Sequence, residues 1–213
     1  METTDKVHQM YVKICGLQTP ATVDAAVVAG ANAVGFVFAP GSPRTVSAST
    51  ALGLGRDLPE HVETVGVFRN QPIDEVLATA RLAELTTIQL HGSESLDDIA
   101  TLRRAGFRTL RAFSAAGYSE LDPDLRLVWD AERVLVDAVE PGAGVTFAAE
   151  ELSTGTPRGF WLLAGGLTPD NVSGLVTALG PSGVDVSSGV ESSRGVKDIG
   201  LIRDFIGAVR ALD

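Results

Sequence analysis

Eight short apolar, β-rich runs recur along the chain, at positions 11–15, 33–38, 64–68, 86–90, 109–113, 133–136, 160–163 and 183–186. Runs that are apolar throughout, rather than alternating, suit strands buried on both faces of a parallel sheet. Ala- and Leu-rich helical stretches lie between them at 21–30, 48–58, 73–82, 96–105 and 169–179, and a last one, 199–212, closes the chain. Strands alternating with helices imply βαβ units. Eight such units in 213 residues predict a single-domain α/β fold, a parallel eight-stranded (β/α)8 TIM barrel. It is compact beside the roughly 250 residues typical of that fold. A doubly wound open sheet is the alternative. It usually has fewer strands and a G-x-G-x-x-G turn after the first, and the glycines after residue 15 do not make that pattern.

Local signals punctuate the rhythm. Thr19-Pro20 places a capping residue ahead of a proline in the first helical turn, and Thr168-Pro169-Asp170 predicts the same device before the seventh helix. Gly30 and Gly106 fall where helices should stop. The fifth and sixth units are the weakest, because 118–128 contains Pro123 and 148–152 is short for a helix. Residues 1–9 read as a polar lead-in and 10–213 as one barrel domain.

Hydrophobic residues make up 45% of the chain and charged residues 21%, so a core can form without a disulfide or metal staple. The net charge of −10 argues against nucleic-acid partners and anionic membrane surfaces. It leaves open a small anion held by local backbone N–H groups. No apolar run approaches a membrane span, and the first ten residues lack the apolar core of a signal peptide, so a cytoplasmic protein is the expectation.

A barrel carries its functional groups at the C-terminal ends of its strands. In order these are Cys15-Gly16, Ser42-Pro43-Arg44, Arg69-Asn70, Gln89 and His91-Gly92, Arg111 and Ser114, Asp137, Gly165-Gly166, and Ser187-Ser188-Gly189. Cys15 is the only cysteine and forms no internal disulfide; it is either buried packing or a site of chemistry. Asp137 ends the run V-L-V-D and either reaches a cavity or pairs with a basic residue. Together the two suggest an acid–base pair acting from different sides of the mouth. Arg44 has the fork geometry for a carboxylate, or is an exposed surface arginine. His91 follows Gln89, and with His8 in the lead-in and His61 in a loop there is no metal-ligand spacing. The glycines and serines after strands seven and eight either make tight turns or form a phosphate site, and together at these positions they favour the phosphate.

In this order, K-I-C-G (13–16), G-F-V-F with S-P-R (35–44), V-G-V-F (65–68), Q-L-H-G (89–92), V-D-A (136–138), A-G-G-L-T-P-x-N-V (164–172) and G-V-D-V-S-S-G-V-E…G-x-K-D (183–198) resemble the phosphoribosylanthranilate isomerase family of tryptophan biosynthesis. The resemblance runs nearly end to end. It implies a cofactor-free isomerase, a monomer or homodimer, converting N-(5-phosphoribosyl)anthranilate to 1-(2-carboxyphenylamino)-1-deoxyribulose 5-phosphate by an Amadori rearrangement. It places the general base on Cys15, the general acid on Asp137 and the grip on the anthranilate carboxylate on Arg44. The phosphate would lie on Gly165, Gly166, Ser187, Ser188 and Gly189, with Gln89, His91 and Asp185 as further substrate contacts. Lys13 or Arg44 would lower the thiol pKa. The loop after the acid departs from the family's Gly-Gly-x-Gly-x-x-Phe, reading E-P-G-A-G-V-T-F (140–147). Two competing readings are a bifunctional sugar-isomerase barrel with two aspartates and a half-barrel repeat, and a phosphate-binding barrel without catalysis. The first is disfavoured by Cys15 in the base position, the second by its having no use for a Cys15–Asp137 pair.

Overall fold

The β-branched and aromatic run from Tyr11 to Cys15 forms β1 (Tyr11–Cys15), buried from its second residue onward. Seven more strands follow: β2 (Ala33–Val37), β3 (Glu63–Phe68), β4 (Thr87–Leu90), β5 (Arg108–Ser114), β6 (Val134–Asp137), β7 (Trp161–Ala164) and β8 (Gly183–Val186). They pair in chain order, all parallel, and β8 returns to β1 to close the barrel. Each strand lies within a residue of its expected bounds. The computed structural model describes residues 9–137 and 155–213. The expected helix at 148–152 and the loop at 140–147 lie outside the described residues.

Helices connect the strands across the outer face: α1 (Pro20–Ala29), α2 (Ala48–Gly55), α3 (Ile73–Leu82), α4 (Leu96–Arg104), α5 (Ala115–Ser119), α6 (Pro123–Asp130), α7 (Val172–Leu179) and α8 (Ile199–Arg210). Thr19 caps α1 by accepting from the Thr22 N–H, with Pro20 in the first turn, and Gly30 ends the helix at a left-handed φ of 99°. Two expectations need correction. The segment 118–128 is two helices, because Pro123 cannot continue α5 and instead takes the first turn of α6, behind the Asp122 cap. Thr168-Pro169 does not open α7. The Asn171 side chain accepts from the Thr168 N–H at 2.8 Å and folds 168–171 into a turn, so that α7 begins at Val172.

A short antiparallel hairpin, β9 (Glu191–Ser193) and β10 (Val196–Lys197), follows a 3-10 turn (Ser188–Val190) and has no counterpart in the strand rhythm. Gly195 turns it at a φ of 84°, packed close against Pro43, so the hairpin lies over the loop after β2.

Alternation along each strand divides the core in two. Outward residues such as Ile14, Phe36, Phe68, Ile88, Leu90 and Leu163 pack beneath the helices in the main cluster. Inward residues include Leu110, Ala112, Leu135, Leu162 and Ala164, and above them Cys15, Val37 and Val67. Each such leucine, fully buried, contributes on the order of 2 kcal/mol. At the lower end Glu63 accepts from Thr87, Arg108 and Arg133, and Arg133 lies over the Tyr11 and Phe160 rings, sealing the barrel floor.

Candidate active site

The upper end is open. A cavity of about 250 Å³ lies over the C-terminal ends of the strands. Cys15, Arg44, Gln89, His91, Asp137, Gly165, Gly166, Asp185, Ser187, Ser188 and Gly189 all line it. Every site residue picked from the sequence is therefore brought to one place. The reason is topological: each lies toward the C-terminal end of a parallel strand or in the loop that follows it, and closure makes those ends one ring.

Four of the rim residues with polar side chains do not join them. Arg111 faces outward on β5, where it donates to the carbonyls of Leu90, Gly92, Glu94 and Ala112 and lies over the Phe113 ring. It fastens the loop that carries His91. Asn70 and Arg69 belong to that outer framework too: the Asn70 side chain accepts from the Ser93 N–H at 2.7 Å, and the Arg69 N–H is held by Gln71. Ser114 caps α5. Strand ends put polar residues at the mouth, but the pleat decides which of them look inward.

Cys15 closes β1 and is 7% exposed. Burial pushes its thiol above its ordinary range; Lys13 pulls it back, Asp185 pushes it further, and Lys197 pulls it down. Lys13 points into the same interior. Gly35 makes the room, since a Cβ there would meet the Cys15 Sγ at 3.0 Å and the Lys13 Cε at 3.2 Å. Lys13 is fully buried and its Nζ donates to Asp185 Oδ1 at 2.9 Å. Burial works against that charge, but the Asp185 carboxylate and the Cys15 sulfur together outweigh it and the ammonium is held above its ordinary range.

Asp137 stands at the end of β6, 44% exposed toward the mouth. Burial raises its proton affinity, His91 opposes that, and Asp185 adds to it. The His91 Nε2 is 3.8 Å from Asp137 Oδ2. Burial lowers the imidazole pKa, so the pair favours neutral His91 beside a carboxyl that protonates more readily than usual. Gln89 is 1% exposed; its amide nitrogen lies 3.2 Å from His91 Nδ1, and its Oε1 has no hydrogen-bond partner among the described residues. An unpartnered buried acceptor is costly unless something arrives to use it.

Gly165 and Gly166 hold successive left-handed conformations, φ 85° and 55°, which a side chain would strain. Neither N–H donates to an acceptor among the described residues. Gly189 packs its Cα against the Leu167 backbone, locking the loops after β7 and β8 together. Arg44 reaches the cavity but already grips a protein carboxylate: Nε meets Glu191 Oε1 at 2.6 Å and Nη2 meets Oε2 at 2.8 Å. Glu191 and Lys197 were absent from the residues picked from sequence as functional; the motif carrying them was visible, but their pairing with a loop 147 positions away was not. Among the described residues no group of three or more His, Cys, Asp or Glu is placed to hold a metal ion, and no helix is long and apolar enough to cross a membrane.

A closed parallel barrel with an acid and a thiol at its mouth, and two glycine-bearing turns offering backbone N–H groups beside them, defines a (β/α)8-barrel enzyme of acid–base chemistry. Residues 12–208 match the family model for N-(5'-phosphoribosyl)anthranilate (PRA) isomerase. The N-(5'-phosphoribosyl)anthranilate isomerase of Geobacter metallireducens is 41% identical over 204 residues, covering 94% of this chain and 98% of that protein. Crystalline TrpF from Jonesia denitrificans superposes with a TM-score of 0.85 at 42% identity, covering 95% of this chain and 98% of that one. A phosphoribosyl anthranilate isomerase in complex with reduced 1-(o-carboxyphenylamino)-1-deoxyribulose 5-phosphate gives 0.80 at 29% identity, over 95% and 100% of the two chains. The chain belongs to the N-(5'-phosphoribosyl)anthranilate isomerase family and is an isomerase of tryptophan biosynthesis.

Proposed function

We propose that this cavity rearranges N-(5-phosphoribosyl)anthranilate to 1-(2-carboxyphenylamino)-1-deoxyribulose 5-phosphate, with Asp137 as general acid and Cys15 as general base. The observation that carries it is the opening of a carboxyl whose pKa burial raises and a buried thiol, from strands β6 and β1, into one cavity.

Asp137, protonated, donates to the furanose ring oxygen. The anthranilate nitrogen lone pair moves toward C1 and the C1–O bond breaks, leaving a Schiff base on an open chain. The Cys15 thiolate removes the C2 proton, giving an enolamine. Its hydroxyl proton is lost and C1 gains one, so that C2 becomes the ketone and the net change is an isomerisation. The base must start ionised and the acid neutral, the reverse of their ordinary states near neutrality. Burial helps Asp137 in this and works against Cys15. Lys13 supplies the counter-charge for the thiolate: it is fixed beneath Cys15 by Asp185 and is the largest influence drawing the thiol pKa down.

The phosphate is assigned to the N–H groups of Gly165, Gly166, Ser188 and Gly189, with the Ser187 hydroxyl near them. Preformed donors of this kind suit an anion in a protein of net charge −10, because the attraction is local. Arg44 is assigned the anthranilate carboxylate through Nη1, the nitrogen Glu191 leaves unused. Gln89 Oε1 and His91 meet the ribose hydroxyls, the orphaned acceptor gaining its partner when substrate binds. Asp185 shares the wall but acts mainly through Lys13. The chain works without a cofactor, as a monomer or homodimer in the cytoplasm.

The test follows the fluorescence of the anthranilate substrate with wild type and Cys15→Ser side by side. The wild type consumes it; full activity in the variant would remove Cys15 from the mechanism.

A further inference from the structure

Glu191 is the first residue of the β9 hairpin, and its side chain is 4% exposed. Its carboxylate is saturated. Oε1 accepts from Arg44 Nε at 2.6 Å and Lys197 Nζ at 2.7 Å; Oε2 accepts from Arg44 Nη2 at 2.8 Å and the Gly195 N–H at 2.9 Å. A carboxylate offers about four lone-pair sites, and all are taken, so its position is fixed from four directions. Lys197 carries the constraint onward, with Nζ 2.7 Å from the Ser187 carbonyl and 3.2 Å from its hydroxyl. The Ser187 hydroxyl in turn donates to the Cys15 carbonyl at 3.2 Å.

One buried carboxylate thus joins the loop after β2 to the loop after β8 and the end of β1. The joint falls between the two anion grips of the site. On one side is Arg44, held by the Nε–Nη2 edge so that its outer edge, Nη1 with the second Nη2 hydrogen, remains for a ligand. On the other is Ser187, at the phosphate loop. We propose that Glu191 is a positioning residue for the carboxylate half of the substrate: it fixes the guanidinium of Arg44 and, through Lys197, sets its separation from the phosphate loop. This rests on the reading of Arg44 as the grip on the aryl carboxylate.

The alternative for an acid beside an anion site is a charge brake that weakens binding. The two make opposite predictions. Arg44 and Lys197 carry two positive charges and Glu191 one negative. Removing the negative charge strengthens the local field for any anion. It also frees Arg44 to swing and Lys197 to drop away from Ser187. A brake gives tighter binding when neutralised; a positioning residue gives looser binding of the molecule that spans both grips. A substrate that must reach two fixed points is sensitive to sub-ångström misplacement, whereas a lone phosphate is not.

The experiment compares wild type, Glu191→Gln, Arg44→Met and the double variant in steady-state turnover of the anthranilate substrate, with inorganic phosphate as competitive inhibitor. Glu191→Gln should raise KM about tenfold with kcat within about threefold, and phosphate inhibition should be unchanged or stronger. In the Arg44→Met background the added Glu191→Gln change should have no further effect on KM. Arg44→Met raising KM while Glu191→Gln leaves or lowers it overturns this proposal alone. An unchanged KM in Arg44→Met overturns the reading of Arg44 beneath it. Should Glu191→Gln fail to fold, Glu191→Asp keeps the charge and shortens the reach; positioning still raises KM, and an unchanged KM overturns it.

Discussion

The Lys13 ammonium lies 2.9 Å from the Asp185 carboxylate, fully buried, on the inner wall of the barrel directly below the mouth. Two opposite charges in such a place lose most of their hydration, and mutual attraction only partly offsets that. Their placement makes sense if the cation serves something else, and Cys15 is two residues along the same strand face.

The pair predicts a pH signature. Activity needs the Cys15 thiolate and the Asp137 acid together. Between the two pKa values the fraction in that form is constant; it falls below the Asp137 pKa, where the thiolate is lost faster than acid is gained, and above the Cys15 pKa, where the acid is lost. Both pKa values are raised, so both limbs of kcat/KM should sit above the ordinary carboxylate and thiol ranges. Removing the cation moves the alkaline limb further up and lowers the plateau, because Lys13 draws the thiol pKa down. The Lys13→Met, Asp185→Asn double variant, which leaves no orphan charge, should move the alkaline limb up by less in a pH–rate profile, because it also removes Asp185, the smaller and opposite influence on the thiol. It should move the acid limb down, because Asp185 also raises Asp137; an alkaline limb that moved down would separate Lys13 from the thiol.

Cys15→Ser and Asp137→Asn should each reduce kcat by about 10²–10⁴, the usual worth of a general base or acid. Binding should largely survive, because neither variant disturbs Arg44 or the glycine turns. Calorimetric titration with a product analogue measures the affinity; a large loss there would mean a structural role.

Gly189→Ala should abolish phosphate binding. A Cβ at this position would land on the Leu167 carbonyl, and backbone there has no free end to move aside. The loops after β7 and β8 must separate, which spoils the nest of N–H donors. Inorganic phosphate inhibiting the variant as it does the wild type would place the anion elsewhere.

Acid should expose the Glu191 network in stability as well. Arg44, Lys197 and the Gly195 N–H hold the Glu191 carboxyl down, against burial, from 4.5 to about 2. A depressed pKa stabilises the fold above the unfolded value and is lost on the way down. The difference in Tm between wild type and Glu191→Gln should be full above pH 4.5 and vanish as pH falls to about 2. A difference independent of pH would mean that charge is not involved.

Ser95→Ala is a control at a residue outside the cavity lining. Ser95 accepts from the Asp98 N–H while Asp98 accepts from the Ser95 N–H at 2.7 Å, a reciprocal cap on α4. Its loss should cost about 1 kcal/mol in denaturant unfolding and leave KM unchanged.

The order of elements was legible because it is local. Ala33–Val37 and Trp161–Ala164 are apolar without alternation, and a segment that must be buried on both faces shows it in every residue. Pro123 warned of a break that the chain makes there. The hairpin Glu191–Lys197 was not legible, since a two- and three-residue pairing leaves no period to detect. Cys15 and Asp137 could be placed at one rim from strand order alone, because closure of a parallel barrel brings all strand ends to one side.

The sequence by itself therefore determined the eight-fold alternation, the single thiol and the set of polar groups at strand ends. Tertiary structure decided which of these face the cavity and what each is paired with. Ser114 and Asp137 both end their strands, yet one turns away to cap α5 and the other lines the cavity. Arg44 meets Glu191 across 147 positions, and Lys13 meets Asp185 across 172. Periodicity is written in neighbouring residues, but charge pairing depends on distances that exist only once the barrel has closed.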